Sequence, residues 1–371
     1  MSNSITYLES IFLQGVKFQK KLGFKKLWRL QNISRYAASA WLRRRKMQRH
    51  KEFPIPTAIA ISPTMRCNLS CIGCYAKDYP KDGELSLDII DKILTDAENM
   101  GVFVFIVTGG EPLMKEGILE LFQKHKRLLF LIITNGTLLD SQKAQIMYKA
   151  GNIVPVVSLE GTEEQTSYRR GDLVYYNVKR AMRLLDESGV MFGFSAMVTS
   201  MNFNILVSDK FIDDSINRGC SVGFYTEYIP IGSAANWSLV LNREQKEHFR
   251  EKVLEIRKNK PIMLAHLPDD EYGKDGKCLA VMSGCVHINS QGYVEPCPFS
   301  HIASDNIKDK GLEESLKSSF LRQIRNSEAT MRRGEYGCAL FENRHLVEDI
   351  AFRTGAVSTE KIMNIKEFTA I

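Results

Sequence analysis

The 371 residues, 44% apolar and 25% charged, suffice for one large domain or two modest ones around a sizeable buried core. No apolar run approaches the roughly 20 residues that span a bilayer, and the N-terminus lacks the apolar core and cleavage site of a secretory signal. The expectation is therefore a cytoplasmic protein, in which eight cysteines suggest metal ligands before disulfides.

The net charge of +7 is unevenly spread. Residues 1–52 hold thirteen Lys and Arg against Glu9 and Glu52, a net of +11 that leaves −4 for the rest. This basic arm, with "QKKLGFKKLWRL" and "AWLRRRKMQRH", reads as helical. Two readings stay open: contact with an anionic membrane surface or acidic partner, or a helix packed on the main domain with a solvated charged face. No nucleic-acid motif accompanies the charge, so nucleic acid is not expected as a partner.

After the arm, "FPIPTAIAISP" (Phe53 to Pro63) reads as a buried strand bounded by prolines. Further strands are expected in Val102 to Gly109, Leu128 to Asn135, Ile153 to Leu159, Met191 to Thr199 and Ser221 to Ile229. Between them "LSLDIIDKILTDAENMG", "KEGILELFQKHK", "DSQKAQIMYKAG" and "VYYNVKRAMRLLDESG" space their apolar residues three and four apart, as helices do. The alternation implies a parallel sheet covered by helices, either an open sheet or a partial barrel. In both, sites lie at the C-terminal ends of strands. From Arg243 a long charged helix leads into a region of turns and cysteines, and the expected units are 1–52, 53–260 and 261–371.

The loop after the first strand reads "TMRCNLSCIGCYAKD", with Cys67, Cys71 and Cys74 spaced CxxxCxxC. Three thiolates can hold three corners of a 4Fe-4S cube and leave the fourth iron open. Zinc normally wants a closed shell of four and finds no fourth ligand nearby, and a redox CxxC at Cys71 and Cys74 would leave Cys67 unexplained.

This loop, together with "TGGEPL" after the second strand, resembles the radical S-adenosylmethionine (radical SAM) superfamily over roughly residues 55 to 230. The resemblance implies a partial (β/α)6 barrel with a smaller C-terminal auxiliary-cluster domain. It also implies a 4Fe-4S cluster on Cys67, Cys71 and Cys74 whose open iron is chelated by S-adenosylmethionine, cleaved reductively to a 5′-deoxyadenosyl radical. By position, Gly109, Gly110, Glu111 and Pro112 match the loop that meets the methionine amino group. Asn135 in "TNGT" lies where such barrels contact the ligand, though Asn-Gly is also a common turn. Ser158 and Glu160 in "VSLEG" match positions that bind the ribose or the methionine carboxylate, and Arg169 or Arg170 is expected to pair with that carboxylate. Where the family often carries an aromatic residue before the third cysteine, this chain has Gly73, with Tyr75 just after as the alternative adenine contact.

Cys278, Cys285, Cys297 and Cys338 form a second group, and "GCVHINSQGYVEPCPF" (Gly284 to Phe299) reads as a hairpin turning at Gln291-Gly292. The segment Gly292 to Cys297 resembles the opening of SPASM and twitch domains, which carry auxiliary clusters. That implies one further 4Fe-4S cluster on these four thiols, against a zinc site or partly unused thiols. Cys220 reads as a buried apolar residue.

The expected enzyme abstracts a substrate hydrogen and uses the second cluster for electron transfer. It needs an external donor of flavodoxin or ferredoxin type and a substrate that is a peptide, lipid or small molecule. A peripheral membrane location through the arm is a further expectation. A non-catalytic iron-sulfur protein would explain the cysteines but not "GGEP", and a methyltransferase would want a further dedicated cysteine or a cobalamin region.

Overall fold

The computed structural model describes residues 24–272, 276–331, 334–335 and 337–360. Seven parallel strands, β1 (Ala58–Ile61), β2 (Val104–Val107), β3 (Leu129–Thr134), β4 (Ile153–Ser158), β5 (Gly193–Val198), β6 (Val222–Glu227) and β7 (Met263–Leu267), lie side by side in chain order. They form a curled sheet, a half-barrel, and the six strands expected from apolar runs are its first six. The hairpin of β8 (Cys285–Ile288) and β9 (Val294–Glu295) joins the same sheet, β8 pairing parallel with β1 from Ala58 opposite Cys285 to Ile61 opposite Ile288. The sheet thus continues beyond residue 260 at both edges. Its seventh strand was not foreseen because "IMLAHLP" is too short to separate from a loop.

Helices cover the outer face: α2 (Leu87–Met100), α3 (Ile118–Lys124), α4 (Ser141–Ala150), α5 (Glu163–Arg170), α6 (Val174–Glu187), α7 (Phe203–Leu206), α8 (Asp209–Asn217) and α9 (Arg243–Asn259), after α1 (Phe24–Gln48). Their ends follow from local chemistry. Ser86 accepts from Ile89 N to start α2, Asp140 from Lys143 N to start α4, and Asn242 with Gln245 forms a capping box for α9. Strand alternation separates two cores. Phe105, Phe130, Ile132, Val157 and Phe194 face the helices, whereas Leu131, Ile133, Val156, Phe224 and Ala265 face the lumen.

The lumen is closed at the N-terminal ends of the strands by α1. Its Leu30 and Ile33 pack with Val154 and Met191, against Phe103, Leu129, Leu131 and Val222. Arg29 locks the helix by donating to Gly189 O at 2.9 Å and Tyr148 O at 3.0 Å, its guanidinium 4.3 Å from the Tyr148 ring centre. The described part of the basic arm therefore follows the packed-helix reading, its apolar stripe spent on the barrel floor. Residues 1–23 lie outside the described residues. Among the described residues no helix is long and apolar enough to cross a membrane.

Beyond β9, α10 (Ile307–Leu316) packs on the main core through Ile307, Leu312 and Leu316, while α11 (Ser319–Asn326), α12 (Ala339–Glu342) and α13 (Arg344–Thr354) build a second, smaller core beside a two-stranded sheet, β10 (Ile302–Ala303) and β11 (Val357–Ser358). Phe320, Ile324, Leu340, Val347 and Ile350 fill it together with Cys278, Cys297 and Cys338.

Candidate active site

The three-cysteine loop leaves the C-terminal end of β1 and is held on every side. Thr108 N donates to Ile61 O at 2.9 Å, Gly110 N to Thr64 O at 3.0 Å and Glu111 N to Arg66 O at 2.8 Å, so the "TGGE" backbone continues the β1–β2 ladder along the cysteine loop. This closeness requires glycine. A Cβ on Gly109, whose φ is +109°, would stand 2.5 Å from Thr64 O, and one on Gly110 would collide with Arg66 O. Below, Glu84 takes Thr64 and Arg66 Nε (3.0 Å) on one oxygen and Lys115 Nζ (3.3 Å) on the other. Partial burial pushes its carboxyl up, but Arg66, Thr64 and Lys115 outweigh that and hold it below the usual range.

Within the loop Leu69 N lies 3.4 Å from Cys67 Sγ and Asn135 Nδ2 lies 3.9 Å from it. Asn135 also donates to Asn68 Oδ1 at 2.9 Å, tying the β3 loop to the cysteine loop. Ile72 N donates to Arg169 O at 2.9 Å, which brings the end of α5 beside Cys71. Cys67 is exposed and Cys71 and Cys74 are half-buried.

Glu111 is buried with both oxygens occupied, accepting from Thr134 Oγ1 at 2.8 Å, Asn135 N at 2.8 Å and Leu113 N at 3.1 Å. Its carboxylate thus joins the β2 and β3 loops, and Pro112 opens the short turn that follows. Ser158 ends β4, buried on the lumen side. Glu160 is likewise saturated: Arg169 Nη1 donates at 2.6 Å, Arg170 Nε at 2.7 Å and Met197 N at 3.1 Å. Burial pushes the Glu160 carboxyl up, yet Arg169 and Arg170 hold it below the usual range. Of the two arginines, Arg169 is buried with Nε unpartnered. Arg170 feels the charges of Cys71 and Cys74.

Tyr75 turns away from the mouth, its hydroxyl 3.1 Å from Thr108 Oγ1 and its ring among Tyr79, Phe299 and His301. The ring beside Gly73 is that of Tyr228, which follows β6. Gly73 has φ +68°, and a Cβ there would lie 2.6 Å from the Tyr228 ring, whose hydroxyl accepts from Asn236 N at 2.8 Å. Sequence reasoning missed Tyr228 because it lies some 150 residues from Gly73. It also missed a buried network in which His287 bridges Ser62 Oγ (2.7 Å) and Glu295 (2.6 Å), and Glu295 accepts further from Tyr79 and Asn289.

Cys278, Cys297 and Cys338 line one small cavity at the C-terminal ends of β6 and β7, with Thr226, Leu267, Glu271 and Phe299. Cys285 does not line it. That residue begins β8 at the opposite end of the strand, its Sγ 3.9 Å from Val286 O. Burial pushes the Cys278, Cys297 and Cys338 thiols up, the last to about 11. Three withdrawn thiols and a carboxyl with no basic residue in the lining form a donor set whose charge a cationic centre would balance. Among the described residues no three Cys, His, Asp or Glu side chains converge tightly enough for a single metal ion.

A half-barrel that presents three thiols and a glycine-lined loop at its strand ends, with a second thiol-lined cavity alongside, defines an iron-sulfur enzyme. Residues 61–205 match the Radical SAM superfamily and residues 278–340 match the SPASM iron-sulfur cluster-binding domain, and the chain belongs to that superfamily. Its cofactors are 4Fe-4S clusters and S-adenosylmethionine.

Among curated relatives, an Fe-coproporphyrin III synthase of Methanosarcina barkeri is 30% identical over 164 residues, 42% of this chain and 41% of that protein. An AdoMet-dependent heme synthase of Oleidesulfovibrio alaskensis is 26% identical over 306 residues, 74% of this chain and 78% of its own length. The crystal structure of Streptococcus suis SuiB shares the fold, with a TM-score of 0.64 at 20% identity over 80% of this chain and 72% of SuiB.

Proposed function

We propose that the protein abstracts a hydrogen atom from a substrate held in the barrel mouth, and that the substrate is a peptide or protein side chain. The observation that carries the reaction class is the backbone clamp of "TGGE" on the cysteine loop, which holds the segment of Cys67, Cys71 and Cys74 at the C-terminal end of β1. Cys67, Cys71 and Cys74 hold the first cluster, which with S-adenosylmethionine supplies a 5′-deoxyadenosyl radical. Arg170, which feels the charges of Cys71 and Cys74, offers the cation for the methionine carboxylate. Gly109 and Gly110 offer the backbone edge for the amino group, Ser158 offers a hydroxyl from the lumen, and Tyr228 offers the aromatic face that Gly73 leaves room for. The floor made by α1 and the apolar lumen layers exclude water beneath the reacting groups.

Cys278, Cys297 and Cys338 would hold the second cluster, which would supply electron exchange with the substrate. The first cluster must be reduced from outside, so an external donor of flavodoxin or ferredoxin type is proposed. The peptide reading draws support from SuiB, which has been solved bound to its precursor peptide SuiA. A small-molecule substrate, as the heme synthase relative's name implies for that protein, is the second reading. Membrane contact is the weaker part of the arm's expectation. It would rest on Trp41 and Leu42, exposed beside Arg43 to Lys46.

Anaerobic protein given dithionite and S-adenosylmethionine should release methionine and 5′-deoxyadenosine. Formation of S-adenosylhomocysteine in their place would overturn hydrogen abstraction in favour of methyl transfer.

A further inference from the structure

The second cavity holds three cysteines, while an iron-sulfur cube has four corners. Four residues of the lining carry a thiol or a carboxyl, and the fourth is Glu271, not Cys285. Glu271 stands in the short turn after β7, among three consecutive acids whose partners differ. Asp269 pairs with Arg250 Nε at 3.1 Å, and Asp270 with Arg257, whose Nη1 is 3.0 Å from Oδ1. Glu271 has neither a hydrogen bond nor a cation among the described residues, although its neighbours have taken theirs. Its backbone is fixed, Glu271 N donating to Pro268 O at 2.9 Å and Leu279 N to Glu271 O at 2.9 Å, so the turn is bound to the segment that carries Cys278. The Tyr272 hydroxyl extends the same link, donating to Gly337 O at 2.9 Å and accepting from Ala339 N at 2.9 Å on either side of Cys338.

A carboxylate that lines the cavity with no partner among the described residues is one that something positive can meet. The other three, Cys278, Cys297 and Cys338, are thiols that must lose protons to bind iron. Cys285 is set apart by its position. It lies outside the lining and outside the small core that packs the other three, and its backbone is committed to the β1–β8 ladder opposite Ala58.

We propose that Glu271 is the fourth protein ligand of the second cluster, completing a set with Cys278, Cys297 and Cys338, and that Cys285 is not a ligand. The proposal rests on the reading that this cavity holds the second cluster. A carboxylate holds cluster iron less tightly than a thiolate, so the Glu271 corner is the one at which a substrate group exchanges. That corner lies beside Thr226 and Leu267, at the strand ends that face the mouth.

The test uses full-length protein in which Cys67, Cys71 and Cys74 are all changed to alanine, so that only the second cluster is observed by iron and sulfide content, by electron paramagnetic resonance and by redox titration. About four irons per chain should remain. They should persist in Cys285→Ser and be lost in Cys278→Ser. Glu271→Gln should retain iron with an altered resonance spectrum and a reduction potential shifted upward, because an anionic ligand has been replaced by a neutral one. Glu271→Cys should retain iron and give the spectrum of an all-thiolate cluster. Loss of iron in Cys285→Ser, or an unchanged spectrum and potential in Glu271→Gln, would overturn the assignment of Glu271 while leaving the cluster in place. No iron in the parent triple variant would instead overturn the second-cluster reading itself.

Discussion

Glu160 shows how single residues hold the mouth together. Two guanidiniums and a backbone amide converge on one buried carboxylate. Glu160→Gln leaves two arginines without their counter-charge and should cost about 3–5 kcal/mol of unfolding free energy, read by urea denaturation at neutral pH. The pH dependence has a definite sign. The folded carboxyl lies below its unfolded value, so its contribution is complete above the ordinary carboxylate range and is lost as pH falls through the folded value. Wild type and Glu160→Gln should therefore converge in acid; a difference that persists there would contradict the ion pair as its source.

Gly73 is the second residue-scale case. Gly73→Ala should cost about 1–2 kcal/mol for its left-handed backbone, plus the displacement of the Tyr228 ring. In a Tyr228→Ala background only the backbone part should remain, so the two changes should be non-additive in a double-mutant cycle.

At the scale of elements, the glycine loop and the cysteine loop form one ladder, and a single methyl group should separate them. Gly110→Ala should lower iron content by roughly half, removing the first cluster and sparing the second. Iron and sulfide quantitation on the purified variant checks this, and full retention of both clusters would contradict the clamp.

These elements are also where the sequence was most readable. The six strands, the helices between them and the cysteine and glycine loops at strand ends all carry local signals: period, proline and glycine boundaries, and ligand spacing. What was hidden depends on distant pairing. Nothing near Glu111 or Glu160 tells that Thr134 and Asn135, or Met197, will saturate their oxygens. Tyr228 reaches Gly73 only because β6 ends beside the cysteine loop. The hairpin at Cys285 reads correctly as a hairpin, but its docking on β1 places Cys285 at a strand start and Cys297 in a cavity, a separation that spacing does not encode.

For the whole molecule, the basic arm and the barrel are one structure from residue 24 onward. Leu30 and Ile33 close the lumen floor, so either changed to alanine should destabilise the fold by about 2–5 kcal/mol. Urea unfolding would show it. Destabilisation near zero would mean the helix sits on the barrel without supporting it.

At the other end, the strand ends carry the loop of Cys67, Cys71 and Cys74, Arg170 and the cavity lined by Cys278, Cys297 and Cys338. With three thiol ligands, the first cluster should keep one iron for S-adenosylmethionine. Electron paramagnetic resonance of the anaerobically reduced protein, recorded before and after adding S-adenosylmethionine, tests it most directly. The signal should change on addition in the wild type, and the responding component should vanish in Cys71→Ala; a spectrum indifferent to S-adenosylmethionine with both clusters intact would contradict the account.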